Sequence, residues 1–284
     1  MANDMIIGVD LGGTKVSVGI VAGSQIQTAH SRRISAAESE AVVLGEIMQS
    51  IDEVFSDQVE GIGVGVPSIV DVDTGLVYDV ENIPSWKRVP LKARLEERYG
   101  IPVAVNNDAN AYAVGEHVFG LGRGYQNLVG ITLGTGMGTG VIIGGRLYCG
   151  GNCCAGEIGS IPHNGLTIED FCSGRFFQRE AGMDGGAVYA RAREGDPESV
   201  GLFQRFGEEL SFAVTVALYA YDPQAIILGG SISAAFDLFQ ESLWNGLAGF
   251  DYSHVVERLV IAPSELDHAA VLGAAALYVE AANQ

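Results

Sequence analysis

Gly130 to Gly145 is an apolar stretch interrupted at its middle by Gly134-Thr135-Gly136-Met137-Gly138, where every second residue is glycine. A turn of that make leaves its peptide N–H groups unscreened by side chains, and successive N–H groups of this kind can point at phosphate oxygens. A second such turn, Gly12-Gly13-Thr14-Lys15, follows a short apolar run and Asp10, and a third, Gly229-Gly230, closes the run Ala225 to Leu228. Either of the first two alone reads as an ordinary tight hairpin. Their likeness, Asp10-Leu11-Gly12-Gly13-Thr14 against Leu133-Gly134-Thr135-Gly136, points to two related halves that each offer one phosphate-touching hairpin. The third suits a planar or phosphate-bearing ligand lying flat on the main chain. Beyond the middle turn, Cys149 to Arg175 carries all four cysteines and the carboxylates Glu157 and Glu169.

Two further groups can make hydrogen bonds. Asn106-Asn107-Asp108-Ala109-Asn110 falls where a strand at residues 102–105 gives way to a helix at residues 109–119. Asp108 there is either the N-cap of that helix or a functional carboxylate, since the carboxyl ends of strands are where open α/β sheets bind ligands. In the irregular loop Glu81-Asn82-Ile83-Pro84-Ser85-Trp86, Asn82 is either a packed loop residue or a reader of hydroxyls.

The elements that position these groups alternate between the two regular structures. Strands are expected at residues 5–9, 15–21, 61–67, 225–228 and 255–262, besides the two flanking Gly134. Ser35 and Glu38 have the spacing of a capping box, which predicts a helix over residues 36–55; Gly61, Gly63 and Gly65 admit something packed closely on their strand. Asp73-Thr74-Gly75 turns a hairpin, and Gly100 stops a short helix over residues 90–99. Further helices are expected at residues 167–181, 187–193, 198–221, 234–247 and 269–282. The class is α/β. Gly120, Gly122 and Gly124 mark a boundary between the halves.

A chain of 284 residues with 48% hydrophobic content suits two medium cores, because single cores stop growing near this size. A formal charge of −19, with 16 basic residues against 35 acidic ones, excludes a nucleic-acid surface. Met1 to Asp4 leads straight into a strand, with no signal-type segment and no run of transmembrane length anywhere, so a cytoplasmic protein is expected. Cys149, Cys172 and the adjacent pair Cys153 and Cys154 fit reduced thiols better than a secreted disulfide framework.

Asp10-Leu11-Gly12-Gly13-Thr14-Lys15, Asn107-Asp108-Ala109-Asn110, Gly134-Thr135-Gly136-Met137-Gly138, Gly156-Glu157-Ile158-Gly159 and Ile226-Ile227-Leu228-Gly229-Gly230 together resemble the ROK family of sugar kinases and repressors. The order and spacing match over essentially the whole chain. The resemblance implies two ribonuclease H-like, actin-like ATPase domains with a cleft between them: residues 1–118 with a returning helix at 268–284, and residues 119–267. It also implies ATP and Mg²⁺ as cofactors, a sugar substrate and a homodimer, with no nucleic-acid or membrane partner.

By the same resemblance Asp108 is the general base toward a hexose hydroxyl, usually the one on carbon six. Asn107, Glu157, Glu169 and Ser160 line the sugar, with Asn82 adding a contact. Gly12, Gly13, Thr14, Lys15, Gly134, Thr135 and Gly136 form the phosphate loops, Gly229 and Gly230 the adenosine floor, and Asp10 holds Mg²⁺ through water.

Zinc-bearing members carry a histidine after Glu-x-Gly and then a Cys-x-Cys-Gly-x-x-Gly-Cys run. Here Ser160 takes the histidine position, only eight residues separate it from Glu169, and the cysteine run is absent. No zinc is therefore expected on Cys149, Cys153, Cys154, His163 or Cys172. Ser68 also departs from the usual glycine after Val-Pro. The expected activity is ATP-dependent phosphorylation of glucose or a related hexose. An N-acetylated hexosamine as substrate, polyphosphate as donor, and a sugar-binding regulator without kinase activity are the alternatives. Repressor members carry a helix-turn-helix ahead of the first strand, where this sequence has Met1 to Asp4.

Overall fold

Runs of Val and Ile make the first strands of the chain: β1 (Met5–Leu11) and β2 (Lys15–Ala22) pair as an antiparallel hairpin in the computed structural model, which describes residues 5–282. Met1–Asp4, read above as the lead into the first strand, lie outside the described residues. β2 pairs onward with β3 (Gln25–Arg33), a strand the sequence pattern hides because it is an edge strand with mostly exposed residues and no apolar alternation. β4 (Val59–Val66) and β5 (Val103–Asn107) add in parallel, giving the order β3-β2-β1-β4-β5.

The helix α1 is shorter than its expected span, covering Glu40–Asp52. Ser35 does not cap it; its N–H and hydroxyl instead donate to Glu46 at 2.7 and 2.8 Å, and Ser39 occupies the N-cap position. α2 (Leu91–Tyr99) ends on Gly100 in left-handed backbone, as expected. Three short strands, Val70–Asp71, Leu76–Tyr78 and Arg88–Pro90, form a small antiparallel sheet in the loop that holds the fully buried Trp86.

The chain divides into two compact units: Met1–Arg123, Arg146–Ala155 and Leu266–Gln284 make one, and Gly124–Gly145 with Gly156–Glu265 the other. The first unit is covered by α3 (Asp108–Val118) and the C-terminal helix Ala269–Ala282. That helix lies directly on the sheet, and a Cβ on Gly8 of β1 or Gly63 of β4 would run into the carbonyl of Val271 or Ala274. It is the close neighbour that the glycines of β4 were expected to admit.

In the second unit β6 (Leu128–Leu133) and β7 (Met137–Ile143) form an antiparallel hairpin, and β8 (Ala225–Gly229) and β9 (Val260–Pro263) follow β6 in parallel. Hairpin first and parallel strands after is the plan of the first unit's sheet repeated. The core is aromatic: Phe176, Phe177, Phe203, Phe206 and Phe239 are all buried, with Phe177 stacked on Phe206 at 5.3 Å between centroids. The one helix expected over residues 167–181 is two, a turn at Ile168–Phe171 and then α4 (Gly174–Ala181). Ser173 makes the break, its hydroxyl accepting the Arg175 N–H at 3.2 Å as a new N-cap. α5 (Gly185–Arg193), α6 (Pro197–Tyr221) and α7 (Phe236–Leu247) complete the unit, and Val255 and Val256, expected to open the strand over residues 255–262, instead end a short helix, Ser253–Val256. Among the described residues no helix is long and apolar enough to cross a membrane.

Candidate active site

The expected site residues fall into two sets, one in each unit. In the first unit, Asp10 on β1 is the register partner of Gly65 on β4, and Gly65 of Asn106 on β5, so three residues stand in a row at the carboxyl ends of parallel strands. At ordinary strand spacing Asp10 and Asn106 are about 10 Å apart, with Asn107 and Asp108 just beyond. The hairpin after Asp10 is closed by the Gly12 N–H donating to Lys15 O at 2.8 Å, and Asn82 packs against Gly13. Asp10 lines a cavity of about 380 Å³ with Lys15, Ser17, His30 and His268. Burial raises the pKa of its carboxyl, and the nearby Lys15 charge opposes that shift.

At the β5–α3 junction the structure divides the work of two neighbours. Asn107, not Asp108, is the N-cap: its Oδ1 accepts the N–H groups of Ala109 at 2.9 Å and Asn110 at 3.2 Å. Asn107 Nδ2 donates to Ser68 O at 3.4 Å, and Ser68 Oγ in turn donates to Tyr78 O. Asp108 is the first helical residue and is exposed, with Oδ1 accepting the Ala109 N–H at 2.9 Å. The N-terminus of α3 favours a negative charge at that position.

In the second unit the β6–β7 hairpin closes through the Gly134 N–H to Gly136 O at 3.0 Å, and Gly134 O accepts the Gly174 N–H at 2.7 Å. Thr135 stands exposed at the tip. Gly134, Thr135, Arg175, Asp184, Tyr189 and Ser231 line a cavity of about 470 Å³, within the range of small-molecule sites. Gly229 ends β8, and Gly230, at φ +80°, turns the chain toward Ser231 on that cavity's wall. An open groove of about 640 Å³ between α1 and α2, lined by Leu44, Met48, Arg94 and Arg98, contains none of the expected site residues.

Glu157 and Glu169 also lie in this unit. Glu157 is exposed over part of its surface, yet neighbours crowd its carboxyl: burial first, and the Glu169 charge second, raise its pKa. Glu169 is anchored twice, with Oε2 accepting the Met137 N–H at 2.9 Å and Oε1 accepting Arg175 Nη1 at 2.7 Å. Gly136 lies close beneath it: a Cβ there would meet Glu169 Oε2 at 2.5 Å and would have to push that carboxylate aside. Ser160 is exposed at the end of a single 3₁₀ turn, Ile158–Ser160.

The loop between these glutamates keeps its shape by protein contacts. Thr167 and Asp170 form a reciprocal capping box, with the Thr167 N–H and hydroxyl donating to Asp170 Oδ2 at 3.0 and 2.7 Å. Arg179 Nη1 holds Asp170 O at 2.7 Å, and the Ile168 N–H donates to Ile161 O at 3.0 Å. His163 pairs with Glu209 at 3.0 Å and stacks on Phe212 at 4.2 Å, while Cys172 is buried. Among the described residues no three His, Cys, Asp or Glu side chains gather as a metal site.

Two polar side chains of these sets were given no role of their own from sequence. Asn106 Oδ1 accepts the Asn107 N–H at 2.8 Å and Asn110 Nδ2 at 2.9 Å, so it orders the residues on both sides of Asp108. Arg175 joins Glu169 to the cavity wall. Only its place two residues after Ser173, in a segment otherwise short of basic residues, could have drawn attention to it.

Residues 6–281 match the ROK family, which is nearly the whole chain. The protein belongs to the ROK family. It is similar to the glucokinase of Thermotoga maritima, 32% identical over 97% of each chain, and to that of Streptomyces coelicolor, 31% identical over 96% of this chain and 97% of the relative. Among solved structures it resembles the ROK family glucokinase from Streptomyces griseus in complex with glucose and AMPPNP. The TM-score is 0.82 at 29% identity, covering 96% of this chain and 98% of that one. The α/β architecture of this ROK protein is the two-domain actin-like ATPase fold of ROK sugar kinase structures.

Proposed function

We propose that the protein is an ATP-dependent sugar kinase that transfers the γ-phosphate to a hexose hydroxyl, the oxygen on carbon six of glucose or a close relative, with Asp108 as general base. The observation that carries this reading is the division of labour at the β5–α3 junction. Asn107 caps the helix, and Asp108 beside it presents an exposed carboxylate at the carboxyl end of a parallel strand.

Phosphoryl transfer asks mainly for positioning and charge neutralisation. The Asp108 carboxylate takes the hydroxyl proton as that oxygen bonds to the γ-phosphorus and ADP departs. With the Gly12 and Gly134 N–H groups closing their hairpins, the N–H groups of Gly13 and Thr14 and of Thr135 and Gly136 hold phosphate oxygens. Glu157, Glu169, Ser160, Asn107 and Asn82 read the remaining hydroxyls. Asp10 suits Mg²⁺, because burial disfavours its charged form and a hard divalent cation offsets that penalty; the ion, with its waters, would neutralise phosphate charge.

The 470 Å³ cavity has aromatic walls at Tyr189 and Phe203 and so favours a nucleoside over bare polyphosphate at the donor side of Thr135. The glucokinase relatives, one of them in complex with glucose and AMPPNP, support the same pair of substrates.

The test is a coupled assay with ATP and Mg²⁺, and separately with polyphosphate, over glucose, mannose, fructose, allose, N-acetylglucosamine and N-acetylmannosamine. Turnover is expected with ATP on at least one plain hexose. Turnover confined to an N-acetylated sugar would move the substrate assignment. Calorimetric binding of a sugar with no turnover on any would replace the kinase by a sugar-sensing regulator.

A further inference from the structure

The roles above leave two thiols unused, and both lean on the residue that orders the catalytic junction. Cys153 donates to Asn106 Oδ1 at 3.2 Å, and Cys149 Sγ lies 3.9 Å from the same oxygen while accepting Asn106 Nδ2 at 3.4 Å. Asn110 Nδ2 approaches the two sulfurs at 3.8 and 3.6 Å. Both sulfurs thus converge on the amide of Asn106.

The chain is bent to bring them together. Cys153 has left-handed backbone at φ +56°, Gly150 sits at φ +70°, and the Ala155 N–H closes the turn on Cys149 O at 3.1 Å. A non-glycine residue held in that conformation marks a position its surroundings impose.

We propose that Cys149 and Cys153 are a reversible disulfide site, closed by exchange with a low-molecular-weight disulfide, and that closure withdraws the thiol contacts from Asn106 and lowers turnover at Asp108. The effect on turnover rests on the kinase reading, whereas the bond itself does not. In the exchange the partly exposed Cys149 thiol loses its proton to water and attacks one sulfur of the incoming disulfide, expelling one thiolate, which takes up a proton from water. Cys153 then loses its proton to water and attacks the Cys149 sulfur, expelling the second thiolate, which is protonated in the same way. Two protein thiols are oxidised, and one disulfide is reduced to two thiols. The pair is suited to this: the neighbouring Cys149 thiol lowers the Cys153 pKa, helped by the N–H groups of Val70 and Asn107, and the neighbouring Cys153, then burial, raises that of Cys149. Cys172 is shut away, and burial pushes its thiol up.

The experiment uses the full chain carrying Cys154→Ser, which removes the exposed neighbouring thiol. The reduced protein is assayed, treated with oxidised glutathione, mapped by mass spectrometry without reduction, followed by amide hydrogen exchange over Asn107 to Asn110, and assayed again before and after dithiothreitol. The expected result is an internal Cys149–Cys153 link lacking two hydrogens, faster exchange in that segment, and a fall in kcat of at least about tenfold that dithiothreitol reverses. Cys149→Ser and Cys153→Ser are expected to keep the turnover they start with under the same treatment. Glutathione left attached with no internal link would overturn the site, and a link that leaves both exchange and turnover unchanged would overturn its effect. A reduced protein with no turnover would count against the kinase reading instead, and the map and exchange would still decide the disulfide.

Discussion

Arg175 Nη1 sits 2.7 Å from Glu169 Oε1 while Glu169 Oε2 accepts the Met137 N–H at 2.9 Å, so a single glutamate ties the arginine to the β6–β7 hairpin. Arg175 also forms part of the wall of the 470 Å³ cavity. Under the proposed function, the sugar-reading and nucleotide-holding parts of the second unit share this one ion pair.

Arg175→Met is expected to loosen Glu169 without unfolding the unit. The arginine is half-exposed, so the pair contributes only about 0–1 kcal/mol to stability. Its effect falls on binding: the loss of a charged hydrogen bond predicts roughly a ten- to hundredfold decrease in kcat/KM, seen in KM for both sugar and ATP. Steady-state kinetics with each substrate varied decides it. A change in the ATP constant alone would separate Arg175 from the sugar.

Asn107 and Asp108 should fail in different ways. Asn107→Ala removes the N-cap of α3 and is expected to lower stability by about 1 kcal/mol in urea unfolding. Asp108→Asn should cost no more than about 0.5 kcal/mol through the helix dipole, yet lower kcat by roughly 10²- to 10⁴-fold. Undiminished turnover in Asp108→Asn would remove it as the base.

Glu157 makes stability depend on pH. Its pKa in the folded protein is raised, by burial first and the Glu169 charge second, above the ordinary 4.5. A carboxyl shifted that way favours the folded state while protonated; that contribution is complete below about pH 4.5 and is lost as pH rises through the folded value. Glu157→Gln should therefore unfold at higher urea than the wild type near neutral pH and at the same urea in acid, while binding sugar more weakly. A gain that persists in acid would point to a cause other than the charge.

Two glycines should respond to alanine with opposite signs. Gly45 lies within α1 with open space where a Cβ would go, so Gly45→Ala is expected to stabilise by about 0.5–1 kcal/mol. Gly63→Ala drives a methyl into the Ala274 carbonyl and should destabilise by about 1–3 kcal/mol or more. Urea midpoints of the two variants test the seat of the C-terminal helix directly.

The hairpins at Gly12 and Gly134 were legible in the sequence because glycine punctuation is a local signal, and so was the pairing of strands with helices. The identity of the cap at Asn107 was not, since Asn and Asp serve equally well at a helix start and only the backbone decides which residue is last outside the helix. β3 stayed hidden because an exposed edge strand has no buried face to write into its residues. Ser35 and Glu38 have the spacing of a cap, but Glu46, 11 residues from Ser35, competes for the hydroxyl and wins. The part played by Asn106 depends on Cys153, 47 residues away, and no pattern within one element could show it. Ser173 splits a helix whose apolar period runs on across the break, so periodicity alone joined what an N-cap divides.

Ribosomes build this chain from the strand side first. β1 and β4 emerge with Gly8 and Gly63 awaiting their cover, and every residue of Gly156–Glu265 is polymerised before helix Ala269–Ala282 can arrive to supply it. The unit begun earliest in translation is thus the last to be completed, and a nascent chain halted just after Glu265 would hold a finished second unit beside an open first one.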